Sequence, residues 1–140
     1  YNIPFIVNND INMLNLMHAD GIRVDKDYVD IRSLRERFPN KIIGLTMSRK
    51  EQQDGGKMAL VDFVAIGPIY KSLPHVEGEE PIGLDFLKTI SAAYPTIKAL
   101  AFGGVDTTNA KEAMDAGASG VSVISSIAQA ESIKEAVDKL

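Results

Sequence analysis

The stretch Ile97–Ser126, IKALAFGGVDTTNAKEAMDAGASGVSVISS, decides the fold. Ile97–Phe102 is a short apolar run, the pattern of a strand buried on both faces. Gly103 and Gly104 follow at once, and two glycines at a strand's end let backbone N–H groups approach an anion with no Cβ in the way. Asp106-Thr107-Thr108 supplies N-cap chemistry. Asn109–Ala116 reads as a helix with Ala113 and Ala116 inward, and Gly117 ends it. Gly120–Ile124 is the next strand, and Ser125-Ser126 opens the final helix. Taken singly, the glycines read as turn formers and the serines as caps. Together, one βα unit apart, Gly103, Gly104, Ser125 and Ser126 predict a phosphate site at the carboxyl ends of two strands. Such a site is common after strands seven and eight of a (β/α)8 barrel, where a helix N-terminus assists.

Working outward, strands are expected at Ile3–Val7, Gly21–Val24, Lys41–Leu45 and Asp62–Ile66. The predicted helices are Ile11–His18, Tyr28–Phe38, a broken Arg49–Ala59 weakened by Gly55-Gly56, Gly83–Tyr94, and a last one from Ile127 to Leu140. Strand starts therefore recur at about twenty residues, a βα repeat with short helices. The long polar loop from Lys71 to Pro81 is of the length usually given to lids. If the last two units are the seventh and eighth of a barrel, six of eight are present and the first two are missing. The 140 residues read as one domain. The chain opens on Tyr1 and enters a strand almost at once, which reads as a fragment or a chain whose start is not shown.

Composition narrows the partners. A net charge of −4 gives no general attraction to nucleic acid or anionic membrane. With no cysteine, disulfide and thiolate chemistry are excluded. That fits a reducing cytosol, and a cytoplasmic location is the expectation. No apolar run approaches the length of a membrane span, and no signal peptide is visible. There is no Walker loop, dinucleotide fingerprint, nucleophile elbow or zinc-ligand spacing.

The motifs IPFIVNND (Ile3–Asp10), ADGIRV (Ala19–Val24), VAIGPIY (Val64–Tyr70), AFGGVDTTNA (Ala101–Ala110) and AGASGVSVISSI (Ala116–Ile127) resemble those of the thiamine phosphate synthases and the related thiazole tautomerases. The order and spacing match across the chain. The resemblance implies a (β/α)8 TIM barrel. It also implies a transferase that joins hydroxymethylpyrimidine diphosphate to thiazole phosphate, with Mg²⁺ and cationic side chains stabilising the leaving diphosphate. By the same resemblance Gly104, Ile124, Ser125 and Ser126 hold the thiazole phosphate, while Asn8, Thr46 and His75 serve the catalytic pyrimidine–diphosphate side. At the two metal positions this chain carries Asn9 and Tyr28 instead of carboxylates, with Asp25 and Asp27 adjacent. Asn9 and Asp27 are the candidate metal ligands. The tautomerase branch needs a histidine where this chain has Ser48. The competing reading is a divergent non-catalytic or tautomerase-like member that binds thiazole phosphate or another small phosphorylated ligand. Either way the partners are small phosphorylated molecules, and the oligomeric state stays open.

The remaining candidates have plainer roles. Asn8-Asn9-Asp10 serves equally as an Asx-type cap and as a ligand source. Asp25 and Asp27 read as solvated loop charges, His75 as an exposed loop histidine, His18 as structural and Tyr70 as a seal on the barrel rim. Met13, Met17, Met58 and Met114 read as core filling.

Overall fold

The computed structural model describes residues 3–25, 27–48, 55–71 and 80–140. Strands and helices alternate in chain order. They are β1 (Ile6–Asn8), α1 (Ile11–Leu16), β2 (Gly21–Asp25), α2 (Ile31–Arg37), β3 (Ile42–Met47), α3 (Gly55–Met58), β4 (Phe63–Ile66), α4 (Leu84–Ala93), β5 (Lys98–Phe102), α5 (Ala110–Asp115), β6 (Gly120–Ser122), α6 (Ser125–Ala128) and α7 (Ile133–Asp138). The six strands form one curled parallel sheet in sequential order. Consecutive parallel strands need a crossover, and α1 to α5 each lie in one.

Strand alternation sorts the side chains onto two faces. Ile22, Val24, Ile43, Leu45, Met47, Val64, Ile66, Ala99 and Ala101 point to the convex side. There they bury against Leu14, Ile31, Leu34, Met58, Phe86, Leu87, Ile90 and Ala113 of the helices. The concave side carries the other set, aligned row by row. Asn8, Arg23 and Gly44 are register partners, as are Asp25, Thr46, Ala65 and Leu100, and as are Phe102 and Ser122. The strand over Ile97–Phe102 is therefore not buried on both faces. Ala99 and Ala101 are buried, while Leu100 and Phe102, on the concave side, are only half-buried.

Several boundaries move, each for a local reason. The first strand begins at Ile6 rather than Ile3, because β1 pairs only with β2 and Ile3 and Phe5 stay exposed. The second helix begins at Ile31, where the Asp30 carboxylate accepts from the Ser33 N–H, rather than at Tyr28. The long last helix is two short ones, interrupted before Ser132, whose hydroxyl caps α7 by accepting from the Glu135 N–H. Met58 is buried as expected, but Met13, Met17 and Met114 are exposed, on the solvent side of their segments. Residues 49–54 of the expected third helix, and His75 with its loop neighbours 72–79, lie outside the described residues.

One network holds the amino ends of β3 and β4. Arg35 donates from Nε to the Leu60 carbonyl (3.0 Å), from Nη1 to the Lys41 carbonyl (2.9 Å) and from Nη2 to Asp62 Oδ2 (2.6 Å). That same Asp62 oxygen accepts the Ile43 N–H at 2.8 Å. A half-exposed ion pair contributes little by itself, but loss of the fork strands two carbonyls. Arg35→Ala should cost about 2 kcal/mol in urea unfolding. Arg35→Lys should recover less than half of that, because an ammonium cannot fork to three acceptors. A Lys variant as stable as wild type would reduce the network to its charge.

Candidate functional site

Barrel-type sheets place chemistry at the carboxyl ends of their strands. Asn8, Arg23, Asp25, Thr46, Phe102 and Ser122 share that end and the concave face. The polar segment after β1 divides its labour. The Asp10 carboxylate accepts from the Met13 N–H at 2.9 Å and caps α1. Asn9 takes the left-handed conformation (φ +49°) and clasps Asp25. Its Oδ1 accepts the Asp25 N–H at 2.8 Å, and its Nδ2 donates to Asp25 Oδ2 at 2.6 Å. A donor faces an acceptor in both bonds, so the amide can be oriented only one way. Asn8 remains exposed at the edge.

These bonds bear on the expected metal. Asn9 spends both ends of its amide on Asp25, and the Tyr28 hydroxyl accepts the Ile11 N–H at 3.3 Å. Asp27 is exposed in the turn after β2. No group of three or more His, Cys, Asp or Glu side chains converges among the described residues. The residues at the two metal positions thus do not fit a carboxylate-held Mg²⁺. Asp25 is exposed as expected but is not a loop residue, since it ends β2 and is half of the clasp.

Thr46 lies in β3, between Asp25 and Ala65 in register. Its Oγ1 is buried and has no hydrogen-bond partner among the described residues, and the same holds for Ser126 Oγ at the start of α6. Buried hydroxyls are rarely left unpaired, which makes both candidates for a ligand contact.

On the far side, Gly103 (φ +84°) and Gly104 (φ +66°) follow β5. Side chains there would also collide: a Cβ on Gly103 would sit 2.5 Å from Pro68 Cα, and one on Gly104 would sit 2.6 Å from the Lys71 carbonyl oxygen. Asn109 staples the loop, donating from Nδ2 to the Gly104 carbonyl and accepting the Asp106 N–H on Oδ1, both at 2.9 Å. The Asp106 carboxyl is held below its usual range by the Thr108 hydroxyl and then by the Thr108 N–H. Ser125 and Ser126 begin α6, where the Ile127 and Ala128 amides donate to the Ile124 carbonyl (3.2 and 2.8 Å) and those of the two serines come too early for an intrahelical acceptor. Ile124 sits at the N-cap position with its side chain out in solvent, so any role it has is through its backbone.

Thr107 and Ser126 line one depression of about 630 Å³, which brings the loops after β5 and β6 to a shared wall. Its other side carries Glu131 and Glu135 with Lys139, an acidic surround that disfavours phosphate.

Tyr70 pins the rim, its hydroxyl donating to Glu112 Oε2 at 3.0 Å. Desolvation, then the Glu112 bond and charge, push its pKa up to about 12. A folded-state value above the unfolded one means that stability is fully present below about pH 10 and is lost as pH rises through 12. Denaturation curves between pH 9 and 12 should therefore fall more steeply for wild type than for Tyr70→Phe, by roughly a kcal/mol or less given the site's exposure. Parallel curves would show that the hydroxyl is not coupled to folding.

Sequence reasoning passed over Arg23. Its guanidinium lies over the Phe102 ring, 5.6 Å from the centroid. The alternation in Gly21–Asp25 was the available signal: with Ile22 and Val24 inward to the helices, Arg23 and Asp25 must share the other face.

A curled parallel sheet with helices on its convex side and a polar carboxyl-end mouth defines a TIM-like α/β protein. The chain matches the family described as thiamine monophosphate synthase over residues 1–127, and it belongs to that family. It is 36% identical over 140 residues to the thiamine-phosphate synthase of Oceanobacillus iheyensis, covering 100% of this chain and 68% of that protein. It is 34% identical over 139 residues to the thiamine-phosphate synthase of Staphylococcus saprophyticus, covering 99% of this chain and 66% of that protein. The solved thiamine phosphate pyrophosphorylase from Pyrococcus furiosus superposes with a TM-score of 0.87 at 26% identity, over 100% of this chain and 66% of that one. The chain thus spans about two thirds of the length of these relatives.

Proposed function

We propose that the protein is a thiamine phosphate synthase, a transferase of thiamine biosynthesis, which joins hydroxymethylpyrimidine diphosphate to thiazole phosphate and releases diphosphate. The fold proposed with it is a (β/α)8 barrel in which the units here are six of eight and form a single domain. The observation that carries the reading is the pair of buried hydroxyls unpartnered among the described residues, Thr46 Oγ1 near the carboxyl end of β3 and Ser126 Oγ at the start of α6. The names of the relatives support the substrate pair. Among the described residues no helix is long and apolar enough to cross a membrane.

In this reading Gly103, Gly104, Ser125 and Ser126 hold the thiazole phosphate through backbone amides and the Ser126 hydroxyl, with Ile124 contributing main chain alone. Thr46 hydrogen-bonds the pyrimidine–diphosphate side, and Asn8 lines its edge. His75, in the family's diphosphate position, completes that side. The bond between the pyrimidine methylene carbon and the diphosphate oxygen breaks, with the electron pair leaving on oxygen. The thiazole nitrogen lone pair then forms the new carbon–nitrogen bond. The protein's task is to hold the two partners in line and to stabilise the departing charge. Family members use Mg²⁺ for part of that charge; the donor set at Asn9 and Tyr28 supports no ligand role here, so no step is assigned to it.

A steady-state assay of the intact gene product with both substrates, with and without Mg²⁺, tests this. Thiamine phosphate formation above background is the expected result. Thiazole phosphate binding without turnover would favour a family member that only holds a phosphorylated ligand.

A further inference from the structure

We propose that Arg23 supplies the positive charge that receives the departing diphosphate, in place of a cation held by carboxylates. The inference rests on the transferase reading above. Arg23 belongs to the same concave row as Asn8 and Gly44. Its guanidinium reaches from β2 to the Phe102 ring on β5, so it lies across the middle of the mouth rather than at its edge. Its register partner Gly44 lies under the Phe63 ring, and the next row along the face holds the small residues Thr46 and Ala65.

Three further features point to an anion. Among the described residues no ion pair includes Arg23. A guanidinium over a ring still has N–H groups to offer an oxyanion in bidentate contact, and it stays charged at any working pH. The unpartnered Thr46 hydroxyl lies one row further along the same face, so a diphosphate oxygen there would meet a neutral donor beside the cation. Meanwhile the clasp between Asn9 and Asp25 takes up the one carboxylate that ends β2. As the carbon–oxygen bond opens, the electron pair moves onto the leaving oxygen, and the guanidinium offsets that charge without any proton transfer.

The test is calorimetric titration of the intact protein with inorganic pyrophosphate in EDTA, for wild type, Arg23→Gln and Arg23→Lys. Wild type should bind, Arg23→Gln should bind at least tenfold more weakly, and Arg23→Lys should fall between. Thiazole phosphate affinity, read on the same samples, should be the same in all three, which separates a local loss from misfolding. In the assay, kcat should fall in Arg23→Gln while the KM for thiazole phosphate holds. Equal pyrophosphate affinity in wild type and Arg23→Gln would overturn the proposal. So would wild-type binding that appears only when Mg²⁺ is added, or no binding under either condition. If pyrophosphate affinity depends on Arg23 but no thiamine phosphate is ever formed, the transferase reading fails while the anion role of Arg23 stands.

Discussion

Ser125→Asp lowers the affinity for thiazole phosphate at least a hundredfold in calorimetric titration. Ser125 is the first residue of α6, directly after β6, and the loop of Gly103 and Gly104 leaves the neighbouring strand β5. A carboxylate there would face a phosphate at about 5 Å, and two unit charges at that distance repel by about 3 kcal/mol at an effective dielectric near 20. The substitution is not expected to unfold the protein, because an acidic residue in the first turn of a helix is favoured by the helix dipole. Ser125→Asn, which keeps the size and omits the charge, should lose far less. Unchanged affinity in the Asp variant would remove the serine pair from the site.

Gly103→Ala destabilises the fold by about 3 kcal/mol, combining left-handed backbone strain with overpacking. At φ +84° an L side chain is strained, and its Cβ would meet Pro68 Cα and Cβ at 2.5 Å. The loop cannot retreat freely: the Tyr70 N–H donates to the Gly103 carbonyl at 3.0 Å and the Ile69 N–H to the Phe102 carbonyl at 2.8 Å. Gly83 provides the control, with a φ of +79° and nothing within 4 Å of an added Cβ. Gly83→Ala should therefore show a backbone cost alone, about 2 kcal/mol, since φ +79° with ψ 170° is a region all but reserved for glycine. Urea midpoints of the two variants measure the difference. Equal losses would mean that packing on Pro68 does not hold the loop of Gly103 and Gly104 in place.

The legible parts of the site were those written locally. The glycine pair after β5 and the serine pair opening α6 stand where the residue types put them, because turn and cap chemistry depends on near neighbours. Thr46 was legible as a strand-end hydroxyl, although it lies inside β3 rather than beyond it. The metal positions were not legible. Asn9 and Asp25 are sixteen residues apart in the chain, and only the pairing of β1 with β2 brings them within 2.6 Å. The role of Arg23 was hidden for a similar reason, since Phe102 lies far along the chain and meets it only across the curl of the sheet.

The sequence by itself determined the alternation of strand and helix, the parallel order and the family, because hydrophobic period and glycine placement act over a few residues. Tertiary structure alone decided which polar groups were already spent on one another and which were not. Parallel pairing sets that choice, since it matches side chains from distant segments row by row: Asn9 is closed on Asp25, while Thr46 and Ser126 are left with buried hydroxyls and no partner among the described residues.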